Sequence, residues 1–241
     1  MDKKQKQEKI VEMFDDIAST YDLANRVLSF GIDVVWRKKG CNIAFDLLNK
    51  KEIEQVTDVA TGTGDLLIHW KNEANKRGIE IEKFVGVDPS VGMLEVAKKK
   101  VDFATFVKGK AQELPLENES SEIISISYGI RNVVDRKEAL EEFYRVLKPG
   151  GVVVILEFTK QEKRGLIDKI VDIYMKKILP AIGGLVSKNY AAYKYLPNSI
   201  EEFLTTKMLV DELEQAGFEH KYSKSFSMGI STLIVAQKPN A

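Results

Sequence analysis

The chain has 241 residues and equal numbers of basic and acidic side chains, 36 Lys and Arg against 36 Asp and Glu. A formal net charge of zero gives no reason to expect nucleic acid as a partner. Hydrophobic residues make up 44% and charged residues 30%, which is typical of a globular protein and excludes a largely disordered one. The single cysteine, Cys41, excludes an intrachain disulfide, and we expect no metal centre.

The N-terminal residues 1–9 are polar and lack the apolar stretch of a signal peptide. No stretch of the sequence approaches the 18 or so uninterrupted apolar residues that indicate a transmembrane helix. We therefore expect a cytoplasmic protein.

Helix-spaced apolar residues predict helices over 5–18 and 23–49, so that 1–50 form a helical N-terminal cover. Short apolar segments then alternate with helical ones five times. Residues 152–156 are a continuous apolar run, as expected of a central strand that is buried on both faces. The alternation predicts a doubly wound α/β fold with a mostly parallel sheet. The predicted parallel strands are 54–60, 83–88, 104–108, 122–128 and 152–156.

The C-terminal third has a different pattern. Ser199, followed three residues later by Glu202, matches a capping box and predicts a helix that ends at Gly217. Segments 218–225 and 231–237 predict two further strands joined by a short turn. With this terminal antiparallel hairpin the predicted sheet has seven strands.

Residues 160–197, between the fifth strand and that helix, are predicted to form a helical insert or lid. The sequence contains no internal repeat and no low-complexity linker. We therefore expect one domain over residues 1–241.

The most informative local motif is DVATGTGD at 58–65, between the first strand and the next helix. Gly62 and Gly64 let the backbone turn sharply and approach a ligand closely. Asp88 ends the second strand, and its carboxylate can accept hydrogen bonds from both hydroxyls of a ribose. Together these residues predict a binding site for an adenosine ribose. The candidate binding residues in the loop are Asp58, Gly62, Thr63 and Gly64.

Two ligands use such a site, a nicotinamide dinucleotide and S-adenosylmethionine. The dinucleotide motif requires a third glycine at a position where this chain has Leu67. The sequence therefore favours S-adenosylmethionine as the cofactor. The alternative is that Gly62 and Gly64 only form a tight turn between strand and helix, and the position of Asp88 weakens that alternative.

Two further segments follow strands at the same edge of the predicted sheet. Residues 109–116 come after the third strand, where backbone amides can hold the edge of an adenine and apolar side chains can cover its face. Ser127 closes the fourth strand, and we expect it to point to the same crevice.

Motifs along nearly the whole chain carry a family resemblance. The most specific is SYGIRNV at 127–133, whereas the glycine loop marks only a wider superfamily. On these motifs the chain resembles the bacterial C-methyltransferases that methylate demethylmenaquinone or a ubiquinone precursor. The resemblance implies a Rossmann-like methyltransferase fold with S-adenosylmethionine as cofactor. The other motifs are 14–22, 25–37, 61–65, 142–151 and 157–158.

The resemblance implies that Thr63, Asp88, Ser127 and the pair Lys110 and Ala111 contact the cofactor. Many relatives carry Asn or Asp where this chain has Lys110. A contact through the backbone would survive that change, whereas a side-chain contact to the adenine amine would not.

The resemblance also places Arg131 and Asn132 beside a quinol ring, with Tyr21 closing from the N-terminal helices. Methyl transfer to a ring carbon requires an electron-rich carbon, so the expected substrate is the reduced quinol. Arg131 suits the stabilisation of a developing phenolate, and Asn132 the orientation of a ring oxygen. The general base stays open between Tyr21, a water held by Arg131 and Asn132, and Glu157.

Structural roles remain as alternatives for these three residues. Arg131 fits equally well as an ion-pair residue at the end of a strand. Asn132 suits a turn in which it binds its own backbone. Tyr21 suits packing between helices.

The quinol is expected to reside in the membrane, because its tail is very apolar. Residues 164–188 combine apolar side chains with interspersed Lys, which suits peripheral contact with the inner face of the membrane. The alternative is a helix packed over the substrate pocket, and a lid would do both.

Overall resemblance alone favours the conversion of demethylmenaquinol to menaquinol in menaquinone biosynthesis. The sequence leaves three alternatives open. They are a benzoquinol precursor of ubiquinone, another small phenolic substrate, and a non-catalytic protein that binds S-adenosylmethionine.

Overall fold

The computed structural model describes residues 2–161 and 189–240. The predicted insert at 160–197 therefore lies largely outside the described residues, and the apolar segment 164–188 lies entirely outside them.

The N-terminal cover contains one helix more than predicted. The predicted helix at 23–49 is interrupted because Phe30 and Gly31 both adopt left-handed backbone angles, with φ of 51° and 72°. Such angles cannot continue a right-handed helix. The helices are α1 (Lys3–Ile17), α2 (Tyr21–Leu28) and α3 (Asp33–Leu48), with a short 3₁₀ turn at Ala18–Thr20.

Strands and helices then alternate in the predicted order, and each of the five predicted parallel strands is present. The apolar run 152–156 is at most 4% exposed, as expected of a strand buried on both faces. The elements are β1 (Glu52–Val59), α4 (Asp65–Arg77), β2 (Glu80–Asp88), α5 (Val91–Lys100), β3 (Thr105–Lys108), β4 (Ser121–Ser127), α6 (Arg136–Val146) and β5 (Leu147–Glu157).

The sheet has seven strands in the order β3-β2-β1-β4-β5-β7-β6, where β6 is Glu219–Phe226 and β7 is Ser231–Gln237. Strands β1 to β5 pair in parallel, and β7 pairs antiparallel with both β5 and β6. The predicted mostly parallel sheet with a terminal antiparallel hairpin is confirmed. The chain leaves β1 for β2 on one side and places β4 on the other, so a ligand crevice is expected where the carboxyl ends of β1 and β4 meet.

The predicted helix from Ser199 to Gly217 is wrong. Two helices occupy this region, α7 (Tyr190–Glu202) and α8 (Thr206–Gln215). The Ser199 hydroxyl lies inside α7 and donates to the Leu196 carbonyl, so it caps nothing. Thr205 caps α8 instead, because its side chain accepts the backbone N–H of Met208.

Two large apolar clusters cover the two faces of the sheet. Val153 and Ile155 of β5 belong to one, whereas Val152, Val154 and Leu156 belong to the other. Because successive side chains of a strand point to opposite faces, the clusters lie on opposite faces. Side chains of α6 and α8 complete the first, and side chains of α3 and α4 complete the second.

A third, smaller cluster attaches the N-terminal cover to the rest of the fold. Ile17, Ala18 and Ala24 pack there with Met93 of α5. In the part of the chain that the structure describes, no helix is both long and apolar enough to cross a bilayer.

Candidate active site

The glycine loop is the sharp turn from β1 into α4. Ala60, Gly62 and Gly64 have φ of 50°, 55° and 78°. A Cβ on Gly64 would also lie 3.1 Å from a methyl carbon of Val101, so both the backbone angle and the tight contact favour glycine there. The predicted use of Gly62 and Gly64 to turn the backbone sharply is confirmed.

Asp88 lies at the carboxyl end of β2, beside this loop. Its Oδ2 accepts the backbone N–H of Gly62 at 2.8 Å, and its Oδ1 accepts that of Ser90 at 2.9 Å. The side chain is buried, and burial raises its pKa to about 6. Each carboxylate oxygen retains a further lone pair, so Asp88 can accept two ribose hydroxyls.

Asp58, at the β1 end of the loop, is fixed by hydrogen bonds to two hydroxyl groups. Its two oxygens accept the hydroxyls of Thr61 and Ser125, each at 2.7 Å. Trp70 donates its indole N–H to Ser125 at 3.0 Å and so extends the chain of hydrogen bonds into the core. Burial raises the pKa of Asp58 to about 6. This carboxylate therefore fixes the loop, besides lining a cavity.

Two adjoining cavities open at this edge of the sheet. The first has mostly apolar walls with a few polar groups among them, as is typical of small-molecule sites. Seven of the predicted residues line it: Tyr21, Gly62, Asp88, Lys110, Ala111, Ser127 and Asn132.

The second cavity has mostly polar walls. Asp58 and Thr63 line it, together with two cationic side chains that the sequence did not single out, Arg26 and Arg37. Arg37 is buried and donates to Asp33. A cavity that carries both signs of charge suits a zwitterionic group such as the methionine end of S-adenosylmethionine.

Ser127 lies on the walls of both cavities. Its hydroxyl oxygen is buried and has no hydrogen-bond partner among the described residues. Buried polar groups are normally paired, so this hydroxyl is available to a bound molecule. The side chains of this junction thus fit a ligand with an adenosine part and an amino-acid part.

Lys110 and Ala111 differ in what they offer to a ligand. Ala111 is buried on the wall of the first cavity, whereas the Lys110 side chain is exposed. This arrangement favours a contact made through the backbone, which tolerates the lysine at this position.

Arg131 lies outside the lining of both described cavities. Its Nη1 is 2.6 Å from Oε1 of Glu157, and both side chains are almost fully buried. The guanidinium also donates to the Tyr128 carbonyl and to the Ser199 hydroxyl. The ion pair that the sequence left as an alternative is therefore present, and a contact between Arg131 and the quinol stays a prediction.

Glu157 is a poor candidate for the general base. Burial raises its pKa, but the carboxylate accepts the backbone N–H groups of Arg131 and Phe158 as well as the guanidinium. A carboxylate that already accepts these donors has little capacity left for a substrate proton.

Asn132 and Tyr21 face the first cavity. The Asn132 side chain is buried, and its Oδ1 accepts the hydroxyl of Tyr195 at 3.0 Å. Tyr21 packs edge to face on Phe14, with ring centroids 6.1 Å apart. Burial raises the pKa of the Tyr21 hydroxyl, which favours a hydrogen-bond donor over a base.

The N-terminal cover contacts the site through two carboxylates that the sequence analysis did not single out. Asp15 accepts the Ser90 hydroxyl at 2.6 Å and the Gly92 N–H at 2.8 Å. Asp22 accepts the hydroxyl of Thr63 at 2.5 Å. Both lie in the 14–22 motif, but nothing local in the sequence indicates which partners they meet.

The comparisons with known proteins decide the family. The ubiE/COQ5 methyltransferase family model matches residues 2–238. The chain belongs to this family. It is 55% identical over 234 residues to the ubiquinone/menaquinone biosynthesis C-methyltransferase UbiE of Campylobacter jejuni, across 97% of this chain and 99% of that protein. It is 38% identical over 231 residues to the demethylmenaquinone methyltransferase of Thermus thermophilus, across 94% and 100%.

Solved structures agree on the fold of this ubiE/COQ5 family member. The methyltransferase in a complex with the Haloferax volcanii Trm112 activator superposes with a TM-score of 0.62 at 18% identity, across 94% of this chain and 98% of that one. A SAM-dependent methyltransferase from Aquifex aeolicus gives a TM-score of 0.55 at 19% identity, across 77% and 82%. At these identities the likeness concerns the fold alone.

Family membership confirms S-adenosylmethionine as the cofactor and methyl transfer as the reaction class. The position that a dinucleotide motif reserves for its third glycine is Leu67, which is fully buried in the core of this ubiE/COQ5 family member. Leu67 thus packs in the core at the position where the dinucleotide motif has glycine, which is the residue on which the preference for S-adenosylmethionine was based.

Proposed function

We propose that this chain methylates a ring carbon of demethylmenaquinol, with S-adenosylmethionine as methyl donor, to form menaquinol. The observation that carries the proposal is a single cavity whose walls combine Asp88 and Ser127 with Tyr21 and Asn132. The first pair suits an adenosine and the second a ring with oxygen substituents. Relatives that match over nearly the full chain are named as methyltransferases of the same substrate class.

The cofactor, when bound, supplies a methyl group on a positively charged sulfur. Asp88 accepts the ribose hydroxyls, and Ser127 offers its free hydroxyl at the junction of the two cavities. Arg37 and Asp58 provide both signs of charge where the amino-acid end would lie. These contacts hold the donor in one orientation, and orientation is itself a large source of rate.

The ring carbon becomes a nucleophile as a phenolic proton leaves, so negative charge develops on a ring oxygen. Asn132 is held by Tyr195 and can donate its amide N–H to that oxygen. Tyr21 keeps its proton at neutral pH and can donate to an oxygen of the same ring. Arg131, buried against Glu157, fixes the turn that carries Asn132. The phenolic proton leaves to water, since both protein candidates for the base are unsuited. Once the ring carbon is methylated, the hydrogen on that carbon is lost to water as a proton, the ring becomes aromatic again and its oxygen regains a proton.

A benzoquinol precursor of ubiquinone is the second candidate substrate. The names of the more similar relatives contain both ubiquinone and menaquinone, which favours keeping it. The apolar walls of the first cavity suit a monocyclic ring as well as a bicyclic one.

The deciding experiment offers the purified enzyme two soluble short-tailed substrates, a demethylmenaquinol and a benzoquinol precursor, each kept reduced. Mass spectrometry measures the methylated products, and kcat/KM is compared. We expect the naphthoquinol to be preferred and the oxidised quinones to be inert. A preference for the benzoquinol would transfer the assignment to the second candidate, and methylation of neither would contradict both.

We also propose that the enzyme works at the inner face of the membrane. A quinol with a long apolar tail resides in the bilayer, so the enzyme has to meet it there or receive it from a carrier. The lysine-rich apolar segment 164–188 remains one candidate for that contact on its sequence pattern.

A further inference from the structure

Five large apolar side chains are exposed together where α2 turns into α3. A folded protein rarely leaves such a contiguous apolar group in water unless the group binds something. We call these residues the apolar tip. They are Leu23, Val27, Phe30, Ile32 and Val35, with exposed fractions of 61%, 42%, 85%, 44% and 61%.

The backbone presents the apolar tip in a fixed shape. The Gly31 N–H donates to the Arg26 carbonyl, and Phe30 protrudes with the left-handed φ of 51°. Arg26 also donates to both oxygens of Asp33, at 2.9 and 3.0 Å, and so joins the two helices across the turn. An exposed apolar loop that is held this way presents a convex surface at little entropic cost on binding.

Two lysines lie beside the apolar tip. The two arginines of residues 21–39 are buried or paired with carboxylates, so they add little exposed positive charge. Lys38 and Lys39 follow Val35 by three and four positions on α3, so they lie on the same side of that helix. Both are partly exposed. An apolar surface with a cationic rim is complementary to an anionic lipid interface.

We propose that the apolar tip docks on a bilayer that contains anionic phospholipid. This inference rests on the proposed function, because a membrane-resident quinol is what makes docking useful. A second copy of the chain is the weaker occupant. A two-fold interface would bring the same cationic rims face to face, and like charges oppose that pairing.

The apolar tip is continuous with the wall of the active site. Tyr21 lines the first cavity and Ala24 is buried, whereas Leu23 and Val27 on the same short helix point outward. Docking would therefore hold one wall of the substrate cavity beside the lipid surface. The long-tailed quinol would then have a short path from the bilayer to the ring site.

The test measures binding of the full chain to vesicles of phosphatidylglycerol with phosphatidylcholine, and to vesicles of phosphatidylcholine alone. The variant carries Phe30→Asn and Val35→Ser. Asparagine tolerates the left-handed backbone at position 30, so the turn is retained. The matched control is Met208→Gln, which removes an exposed apolar side chain from α8, away from the apolar tip.

We expect the double variant to lower partition onto the anionic vesicles by about tenfold or more, and the control to leave it unchanged. Wild-type binding should weaken on pure phosphatidylcholine. Turnover of a soluble short-tailed quinol should be unaffected by the double variant, while turnover of a long-tailed quinol in vesicles should fall.

Three results would overturn the inference. Vesicle binding equal to wild type would refute docking through this surface. If light scattering shows a dimer for wild type and a monomer for the double variant, with vesicle binding intact, the surface binds a second copy of the chain. A marked drop in melting temperature, again with vesicle binding intact, would show that it packs within the chain. The proposed function is tested separately, because it fails only if wild type does not methylate the short-tailed quinol.

Discussion

We expect the Asp88 carboxylate to contribute strongly to cofactor binding. It accepts two backbone N–H groups and still has an acceptor site on each oxygen. Asp88→Asn keeps the shape but replaces one acceptor by an N–H₂ donor that faces other donors. We expect affinity for S-adenosylmethionine in calorimetry to fall by about 10- to 100-fold, the effect of losing 1–3 kcal/mol.

Asp102→Asn is the control for that experiment, because Asp102 is an exposed carboxylate in the segment between α5 and β3. Its affinity should equal that of wild type. Equal affinities for the Asp88 variant and wild type would contradict the assignment of Asp88 to the ribose.

The raised pKa of Asp88 also predicts a pH dependence. The ionised carboxylate accepts hydroxyls, whereas a proton would occupy one acceptor site, so binding favours the charged form. With a pKa of about 6 in the ligand-free protein, cofactor affinity should be constant well above pH 6 and fall as the pH drops through it. Calorimetry across this range measures the slope. The Asp88→Asn variant should retain only the pH dependence of affinity that Asp58 contributes. If affinity varied with pH equally in the variant and in wild type, the prediction would be refuted.

The buried ion pair between Arg131 and Glu157 makes a prediction about stability. Glu157→Gln leaves a buried guanidinium without its counter-charge, and we expect a loss of about 3–5 kcal/mol in the free energy of unfolding. Replacing both residues by Met should cost less than this single change. Urea denaturation checks both expectations.

The exposed pair Lys137 and Glu141 supplies the matched comparison, with Nζ and Oε1 3.7 Å apart. Lys137→Met should change the free energy of unfolding by less than about 1 kcal/mol. If Glu157→Gln were equally mild, the ion pair could not be what fixes the turn around Asn132.

At the scale of elements, one carboxylate joins α1 to α5 in addition to the apolar cluster around Met93. Asp15 accepts the Ser90 hydroxyl and the Gly92 N–H at the start of α5, directly after Asp88. Asp15→Ala should cost about 1 kcal/mol, as for the loss of a helix cap. It should also raise hydrogen exchange in α1 and weaken cofactor binding several-fold. The control is Asp16→Ala at the exposed neighbouring position. It should leave stability, hydrogen exchange in α1 and cofactor affinity unchanged.

An increase in exchange spread evenly over the chain would count against this attachment, because it would indicate global destabilisation. An unchanged α1 would count against it as well.

Some helices and strands could be predicted from the sequence and others could not. The alternation of strands and helices is a local pattern, and so is the glycine loop, and both were found in place. The break between α2 and α3 was missed although Gly31 was visible, because the apolar spacing continues through it. Ser199 matched a capping box but lies inside α7, since the alternative cap at Thr205 begins the next helix.

For the whole molecule, contacts between residues far apart in the sequence were the hardest to predict. The position of Asp88 beside the glycine loop could be predicted, because topology alone brings strand ends together at one edge of a parallel sheet. The partners of Arg131 could not, because Glu157 and Ser199 lie 26 and 68 positions away and no pattern links them. The sequence likewise could not predict that the Ser127 hydroxyl has no hydrogen-bond partner among the described residues, because this depends on the packing around both cavities.

The proposed lipid contact and the proposed cofactor site lie on neighbouring parts of the fold. The apolar tip lies outside α2, the first cavity lies behind Tyr21, and the glycine loop and Asp88 close the far side. This arrangement fits the proposed use of a polar cofactor and an apolar acceptor at one edge of the sheet.

The most direct test of the account is transfer of a carbon-13 methyl group. The enzyme would receive S-adenosylmethionine labelled at its methyl carbon together with reduced, short-tailed demethylmenaquinol, and fragmentation mass spectrometry would locate the label. We predict that the label appears on a ring carbon, that the oxidised quinone takes up none, and that Asp88→Asn slows the transfer. Label on a ring oxygen, or none in the reduced ring, would contradict the account.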